Sequence, residues 1–152
     1  MPGFFILPIC NRLSLKKRGG IVMRVLGIEF NAKFLNYVLL DVGEENTKIV
    51  TANRLTLADT RSKDALRAFQ DAVQSMYNVT KPDQISIKTK PEKGTMSAGA
   101  ASLKMEGIAL ANSPCDVEFV SAHKIAKCAI ADGLVKKYLE PAYKAAASHS
   151  KK

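Results

Sequence analysis

Short apolar stretches with alternating polar residues occupy the first part of this chain after residue 23. R-V-L-G-I-E-F, F-L-N-Y-V-L-L-D and T-K-I-V-T-A-N-R-L-T-L are rich in residues that favour strands, and polar turns at residues 31–33 and 41–46 separate them. Connections this short join strands that run in opposite directions. The pattern therefore predicts three successive antiparallel strands that form a meander.

After the third predicted strand, the spacing of the apolar positions changes from the alternation of a strand to the period of a helix. Leu66, Phe69, Val73 and Met76 recur at spacings of three and four, which predicts an amphipathic helix that ends near residue 78. Thr60 or Ser62 is the expected N-cap. The following Q-I-S-I-K predicts a short strand, and a helical crossover of this length favours a parallel arrangement with the first strand.

The remainder of the chain alternates between helix and strand. A-A-S-L-K-M-E-G-I-A-L-A predicts a helix of small residues, and D-V-E-F-V predicts a fifth strand. Ser121 is the expected cap of a helix over A-H-K-I-A-K-C-A-I, and residues 134–149 are expected to form the last helix. The predicted order is β-β-β-α-β-α-β-α-α. It is the layout of a ribonuclease H-like α/β fold, with a five-stranded mixed sheet flanked by helices.

The composition fits one globular domain. The chain has 152 residues, of which 47% are hydrophobic, and its formal net charge is +9. This apolar content excludes a disordered chain, and no run approaches the roughly 18 uncharged apolar residues of a membrane span. Residues 1–22 carry four basic residues and no acidic ones, so residues 23–152 carry +5. That charge is compatible with an anionic partner.

The first 22 residues are predicted to lie outside the domain. M-P-G-F-F-I-L-P-I-C is apolar, but two prolines interrupt it and its charges follow the apolar run, which is the reverse of a secretory signal. We expect residues 1–22 to be a non-core extension and residues 23–152 to form the domain. Met23 is a candidate for the physiological start.

Cysteine and histidine usage predicts neither a disulfide framework nor a zinc site. Cys10, Cys115 and Cys128 are odd in number and contain no C-x-x-C pair, which predicts reduced thiols and a cytoplasmic location. His123 and His149 have no nucleophile or acid partner visible in the sequence, and His149 lies where the last helix is expected to fray. A Ser-His-Asp hydrolase therefore has no support.

Two segments resemble known proteins. R-V-L-G-I-E-F-N-A-K-F-L-N-Y-V-L-L-D resembles the first hairpin of RuvC-type Holliday-junction resolvases, which have an acid near the end of strand one. The segment from A-G-A-A-S-L-K to V-S-A-H-K-I-A-K resembles their central helix, fifth strand and lysine-bearing segment. G-I-E together with K-G-T-M-S-A-G-A-A-S-L-K-M-E-G resembles one small bacterial family of unknown function within the ribonuclease H-like group. The resemblance covers about residues 23–148.

The resemblance implies a degenerate metal site. Such nucleases hold two magnesium ions with carboxylates from strand one, from the strand after the first helix and from the last helix. Glu29 matches the strand-one acid and Glu140 a last-helix acid, whereas Lys88 stands where the nucleases have a glutamate. Two of the four carboxylates are missing. Mg or Mn is therefore expected only if Glu29 and Glu140 act with a recruited acid, for which Glu106 and Glu92 are candidates.

Four lysines near the predicted loop are candidates for nucleic-acid contacts. Lys88, Lys90 and Lys93 alternate along an extended segment, and Lys104 follows in a helix whose N-terminus favours anions. No aromatic residue interleaves with them, which argues against a stacking platform for single strands. Lys88 is also expected to pair with Glu29, because their strands are predicted neighbours.

Three function classes remain open at this point. The leading hypothesis is a nucleic-acid-binding or regulatory protein with a degenerate resolvase-like cleft around Glu29, Lys88 and Glu140. The second is an active metal-dependent endonuclease that uses Glu29, Glu140 and a recruited acid. The third is a protein-interaction module or homodimer without nucleic acid. DNA or RNA is the expected partner for the first two classes, and no membrane partner is expected for any.

Overall fold

The computed structural model describes residues 23–91 and 99–149, which form five strands and four helices in the order β-β-β-α-β-α-β-α-α. The strands are β1 (Met23–Asn31), β2 (Phe34–Val42), β3 (Thr47–Thr56), β4 (Gln84–Lys88) and β5 (Asp116–Val120). The helices are α1 (Lys63–Thr80), α2 (Ala100–Ala111), α3 (Ala122–Ala126) and α4 (Glu140–Ala147), with a 3-10 turn at Lys137–Leu139. The predicted extension over residues 1–22 lies outside the described residues.

The strands form one mixed sheet in the order β3-β2-β1-β4-β5. β1 pairs antiparallel with β2, and β2 pairs antiparallel with β3, as expected for a meander. β4 lies parallel to β1, and β5 lies parallel to β4. The predicted five-stranded sheet and the parallel pairing of Q-I-S-I-K with the first strand are confirmed.

Helices cover both faces of the sheet, and the strand alternation decides what each face contains. Leu26 and Ile28 of β1 pack with Phe69 of α1 and Met105 of α2 in one core cluster. Val25, the alternate residue of β1, packs instead with α4 in a second cluster. Because successive side chains of a strand point to opposite faces, α1 and α2 lie on one side and α4 lies on the other.

α4 approaches β1 very closely at Gly27. A Cβ atom added at Gly27 would overlap the carbonyl oxygen of Ala142, and it would lie 2.6 Å from the backbone nitrogen of Ala146. Only a residue without a side chain fits in this position. Gly27 therefore sets the distance between α4 and the sheet, and with it the depth of the polar groups on this face.

The helix bounds differ from the prediction mainly near the C-terminus. Ser62 caps α1 as one of the two predicted candidates, since its side chain accepts a hydrogen bond from the Ala65 backbone N–H at 3.2 Å. The last helix starts at Glu140, not near residue 134. Pro141 explains the difference, because proline suits the first turn of a helix and breaks its interior. Ser121 caps α3 as predicted, although α3 ends earlier, at Ala126.

Candidate functional site

Glu29 lies on the face of the sheet that α4 covers. It alternates along β1 with Ile28 and Phe30, which point into the opposite core cluster. Only 5% of the residue is exposed, although it lies near the end of its strand. A buried carboxylate needs hydrogen-bond or ion-pair partners to offset its lost hydration. Its surroundings therefore show what the site can do.

A chain of polar contacts runs through Glu29 across four neighbouring strands. Asn36 of β2 donates a hydrogen bond from Nδ2 to Glu29 Oε1 at 3.0 Å, and its Oδ1 accepts one from Arg54 Nε of β3 at 3.0 Å. On the other side, Lys88 Nζ of β4 lies 3.9 Å from Glu29 Oε2. Both carboxylate oxygens of Glu29 thus have protein partners. The predicted contact between Glu29 and Lys88 is confirmed.

Two aromatic rings hold the far end of this polar chain. The Arg54 guanidinium carbon lies 3.8 Å from the ring centroids of both Phe34 and Tyr138. Guanidinium groups stack favourably on aromatic faces. The stack joins β3 to the 3-10 turn that precedes α4 and holds the Arg54 end of the polar chain.

These contacts do not fit a two-metal site. Lys88 brings a positive charge to the place where the resemblance expects a carboxylate ligand, and a cation there repels a metal ion. Within residues 23–91 and 99–149, no three His, Cys, Asp or Glu side chains are close enough together to hold a metal ion. The described residues therefore do not fit a bound Mg or Mn pair.

The other predicted acids are not gathered with Glu29 into a metal-binding set. Glu140 is half-buried and begins α4. Glu106 belongs to α2, whose buried residues Met105 and Ala109 pack on the opposite face of the sheet. Glu92, the fourth candidate, lies outside the described residues. Glu106 thus lies on a helix that covers the opposite face of the sheet from Glu29, whereas Glu140 begins the helix that covers the Glu29 face.

A basic cavity of about 640 Å³ opens next to Lys88. It lies where the parallel strands β1 and β4 end, which is the usual ligand-binding edge of α/β sheets. Lys33, Lys88 and Lys90 line it together with Gly99, the N-cap of α2, whose first turn has no side-chain cap. No acidic side chain in the described part of the chain lines this cavity. Three ammonium groups beside the N-terminus of a helix are suited to bind an anion.

The structure separates the four predicted lysines. Lys88 and Lys90 line the basic cavity, whereas the Lys104 ammonium donates a hydrogen bond to the Thr60 carbonyl oxygen at 2.6 Å on the α1 side of the domain. Lys93 lies outside the described residues. Lys33, which sequence reasoning missed, takes part in the cavity from the β1–β2 turn. Lys33 could have been found from the sequence, because it is a basic residue in the turn that follows the strand-one acid.

Sequence reasoning also missed most of the buried polar groups. Asn36 was detectable as a polar residue in an otherwise apolar strand, paired directly with Glu29. The prediction that His149 lies at a frayed helix end is wrong. His149 is buried, and its Nδ1 lies 2.7 Å from Oε1 of Glu118, which also accepts a hydrogen bond from Ser86 at 3.3 Å. No local sequence pattern predicts a contact between residues that are 31 positions apart.

The cysteines differ from the expectation of reduced thiols. Cys128 is disulfide-bonded, so that expectation is wrong for this residue. Cys115 carries a free thiol, and burial together with the nearby Asp83 and Asp116 carboxylates raises its pKa to about 11. A thiol with such a pKa is almost fully protonated at neutral pH and is a poor nucleophile. Cys115 therefore has the chemistry of a structural cysteine.

The fold and the site define a ribonuclease H-like protein in which a lysine pairs with the strand-one carboxylate. Comparison with protein families places the chain in the family described as Protein of unknown function (DUF3010), which matches residues 23–149. The chain belongs to this family. A comparison with curated protein sequences found no match. The helices of the described residues include none with the length and apolar character needed to cross a membrane.

Solved structures similar to this chain include Holliday-junction resolvases. RuvC of Thermus thermophilus in complex with a Holliday junction substrate aligns with a TM-score of 0.69 at 12% identity, over 84% of this chain and 92% of that chain. A second Thermus thermophilus RuvC structure gives a TM-score of 0.61 at 11% identity, over 84% and 93% of the two chains. The yeast mitochondrial Holliday junction resolvase gives 0.50 at 12% identity, over 70% and 54%. At these identities the likeness establishes the shared fold.

Proposed function

We propose that this protein binds nucleic acid, in an accessory or regulatory role, at a resolvase-like cleft that has lost its metal-dependent chemistry. The observation that carries the proposal is the contact between Lys88 and Glu29 at 3.9 Å. An ammonium group in this position neutralises the negative charge of the carboxylate, which would otherwise attract a metal ion. The same ammonium group adds positive charge at the mouth of the cavity.

The chemistry of the basic cavity supports a phosphodiester ligand. Lys33, Lys88 and Lys90 surround the first turn of α2, and lysines that contact phosphates account for most sequence-independent affinity for nucleic acids. One structural neighbour was solved with a Holliday junction substrate, so branched DNA is the first ligand to test. A cytoplasmic location, predicted from the sequence, would give access to such ligands. A homodimer also remains compatible with this function.

The test is a paired binding and cleavage assay on the full-length chain. Fluorescent duplex, four-way-junction and single-stranded DNA and RNA are each titrated with protein, with and without manganese, at several salt concentrations. We expect binding without cleavage, and an affinity that falls linearly in log salt. The double variant Lys33→Gln with Lys90→Gln should lower the slope by up to about 2, since each phosphate contact contributes about 0.9.

Matched variants distinguish binding at the basic cavity from a general effect of charge. Lys81→Gln with Lys127→Gln removes the same charge from exposed lysines that do not line the cavity, and it should leave the slope within error of wild type. Manganese-dependent cleavage that Glu29→Gln abolishes would replace this proposal with the active endonuclease. No binding to any nucleic acid would replace it with a protein-interaction module.

A further inference from the structure

A second basic surface lies on the opposite side of the domain from Glu29. Helices α1 and α2 enclose a groove of about 540 Å³, which we call the α1–α2 groove. Its cationic side chains are Arg61, Lys63, Arg67 and Lys104, and its apolar floor includes Leu66 and Ile108. Three of these four cations precede or belong to the first turns of α1. None of them contributes to the core.

Like charges lie one turn apart at the start of α1, although Asp64 and Asp71 lie at spacings from Arg67 that favour ion pairs. Lys63 and Arg67 are separated by one helical turn, and like charges at this spacing destabilise a helix. Arg61 and Lys63 also lie at the N-terminus of α1, where the helix dipole favours anions. The nearby Asp59 and Asp64 are exposed and do not line the groove. A bound polyanion would relieve the repulsion among the four cations.

The α1–α2 groove and the basic cavity lie around the same end of α2. Ser102 lines the cavity, and Lys104, two residues further along α2, lines the groove. The Lys104 ammonium is held against the segment that leads into α1 by its hydrogen bond to the Thr60 carbonyl oxygen. The β1–β2 turn reaches the same segment, because the Leu57 backbone N–H donates to the Lys33 carbonyl oxygen at 2.8 Å. Residues of both sites, Lys33 and Lys104, thus contact the same segment between β3 and α1.

We propose that the α1–α2 groove binds phosphates of the same nucleic acid whose backbone enters the basic cavity, so that the binding path turns around the N-terminus of α2. This inference rests on the proposed function and extends it. It implies that the contacts depend on the length of the nucleic acid. A short ligand fills the cavity alone, and a longer one also reaches Arg61, Lys63 and Arg67.

The test compares two DNA hairpins with stems of about 6 and about 30 base pairs, which span about 20 and 100 Å at 3.4 Å per pair. The full-length triple variant Arg61→Gln, Lys63→Gln, Arg67→Gln is measured beside wild type. On the long hairpin its affinity should fall at least about tenfold, and its salt slope should fall by about 2 to 3. On the short hairpin the change should stay within about twofold. Circular dichroism verifies folding, and Lys104→Gln alone serves as a milder variant.

A charge-matched control excludes a general loss of attraction. Lys81→Gln, Lys127→Gln and Lys137→Gln together remove the same charge from exposed positions outside both sites, and they should not change either hairpin's affinity by more than about twofold. Tripolyphosphate is tested in parallel by thermal shift, to distinguish a free polyphosphate from a nucleic-acid backbone.

Three other outcomes would overturn the inference, and each has a different meaning for the proposed function. Equal binding of the long hairpin by the groove variant and the control would remove the α1–α2 groove from the path while leaving the proposed function intact. Stabilisation by tripolyphosphate that depends on the groove, without any dependence on hairpin length, would assign the groove to a small polyphosphate. Failure of wild type to bind either hairpin would overturn both the proposed function and this extension.

Discussion

The two faces of the central sheet both carry an apolar core cluster, but they differ in the residues that β1 contributes. On the α1 and α2 face, the sheet contributes large apolar side chains such as Leu26, Ile28 and Phe30, and helix residues such as Phe69 and Met105 pack against them. On the α4 face, Gly27 meets Ala142 and Ala146 at backbone distance. Both faces bury apolar side chains, and the α4 face adds a close main-chain contact at Gly27.

The polar groups follow this division. Glu29, Asn36 and Ser86 are buried on the α4 side, and Glu118 and His149 pair beside them. Every buried polar group on this face must find a partner. The comparison teaches that the two faces can change independently. The α4 face carries the contact between Glu29 and Lys88 on which the proposed function rests.

Shortening an apolar side chain on the α1 and α2 face should have the largest effect on stability. Ile28→Ala removes a fully buried side chain, and we expect the free energy of unfolding to fall by about 4 kcal/mol. Urea denaturation followed by circular dichroism measures it. Val79→Ala, at a residue that is 78% exposed, is the matched control and should change stability by less than about 0.5 kcal/mol. Equal losses for the two variants would contradict the division between the faces.

Adding a single methyl group on the α4 face should have the next largest effect. Gly27→Ala places its Cβ against the backbone of α4, so we expect a loss of about 3 kcal/mol as the helix is displaced. The control is Gly107→Ala in α2, where no heavy atom lies within 4 Å of the added carbon. That change should increase stability by about 0.5 to 1 kcal/mol, because alanine favours the helix. A neutral Gly27→Ala variant would show that α4 does not approach β1 so closely.

The coupling between Glu29 and Lys88 should be the smallest of the three effects. In a double-mutant cycle of Glu29→Gln and Lys88→Met, we expect a coupling of about 1 kcal/mol that decreases with added salt, because the Lys88 side chain is one quarter exposed. Glu29→Gln combined with Lys90→Met provides a control cycle that should be additive. If both cycles were additive, Lys88 would not compensate the Glu29 charge, and the argument for a degenerate metal site would lose its main support.

Much of the fold could be predicted from local patterns. The three-strand meander, the helix with Leu66, Phe69, Val73 and Met76, and the parallel strand Q-I-S-I-K each follow from periodicity and connection length. The contact between Glu29 and Lys88 followed from the predicted adjacency of their strands. The start of the last helix was missed because the apolar periodicity extends before Pro141, although the proline itself marked the correct boundary.

The candidate site was predictable only where its residues lie on neighbouring strands. Arg54 joins it through Asn36, and Tyr138 joins it through a ring stack with a guanidinium group that is 84 positions away in the sequence. Glu106 was considered because of its position in a family-like segment, yet α2 packs on the other face. The sequence carries the period of each element, but it does not state which face a helix covers.

The sequence by itself determined the helices and strands and their order. It also determined that β1 has two different faces, because successive side chains of a strand point to opposite sides. It also placed Lys88 at the end of a strand predicted to lie beside Glu29. The tertiary structure decided which helix covers which face and that Glu29 has Asn36 and Lys88 as partners. It also decided that basic side chains gather in the cavity and in the α1–α2 groove. These contacts join residues far apart in the chain, and their geometry depends on how the helices pack on the sheet.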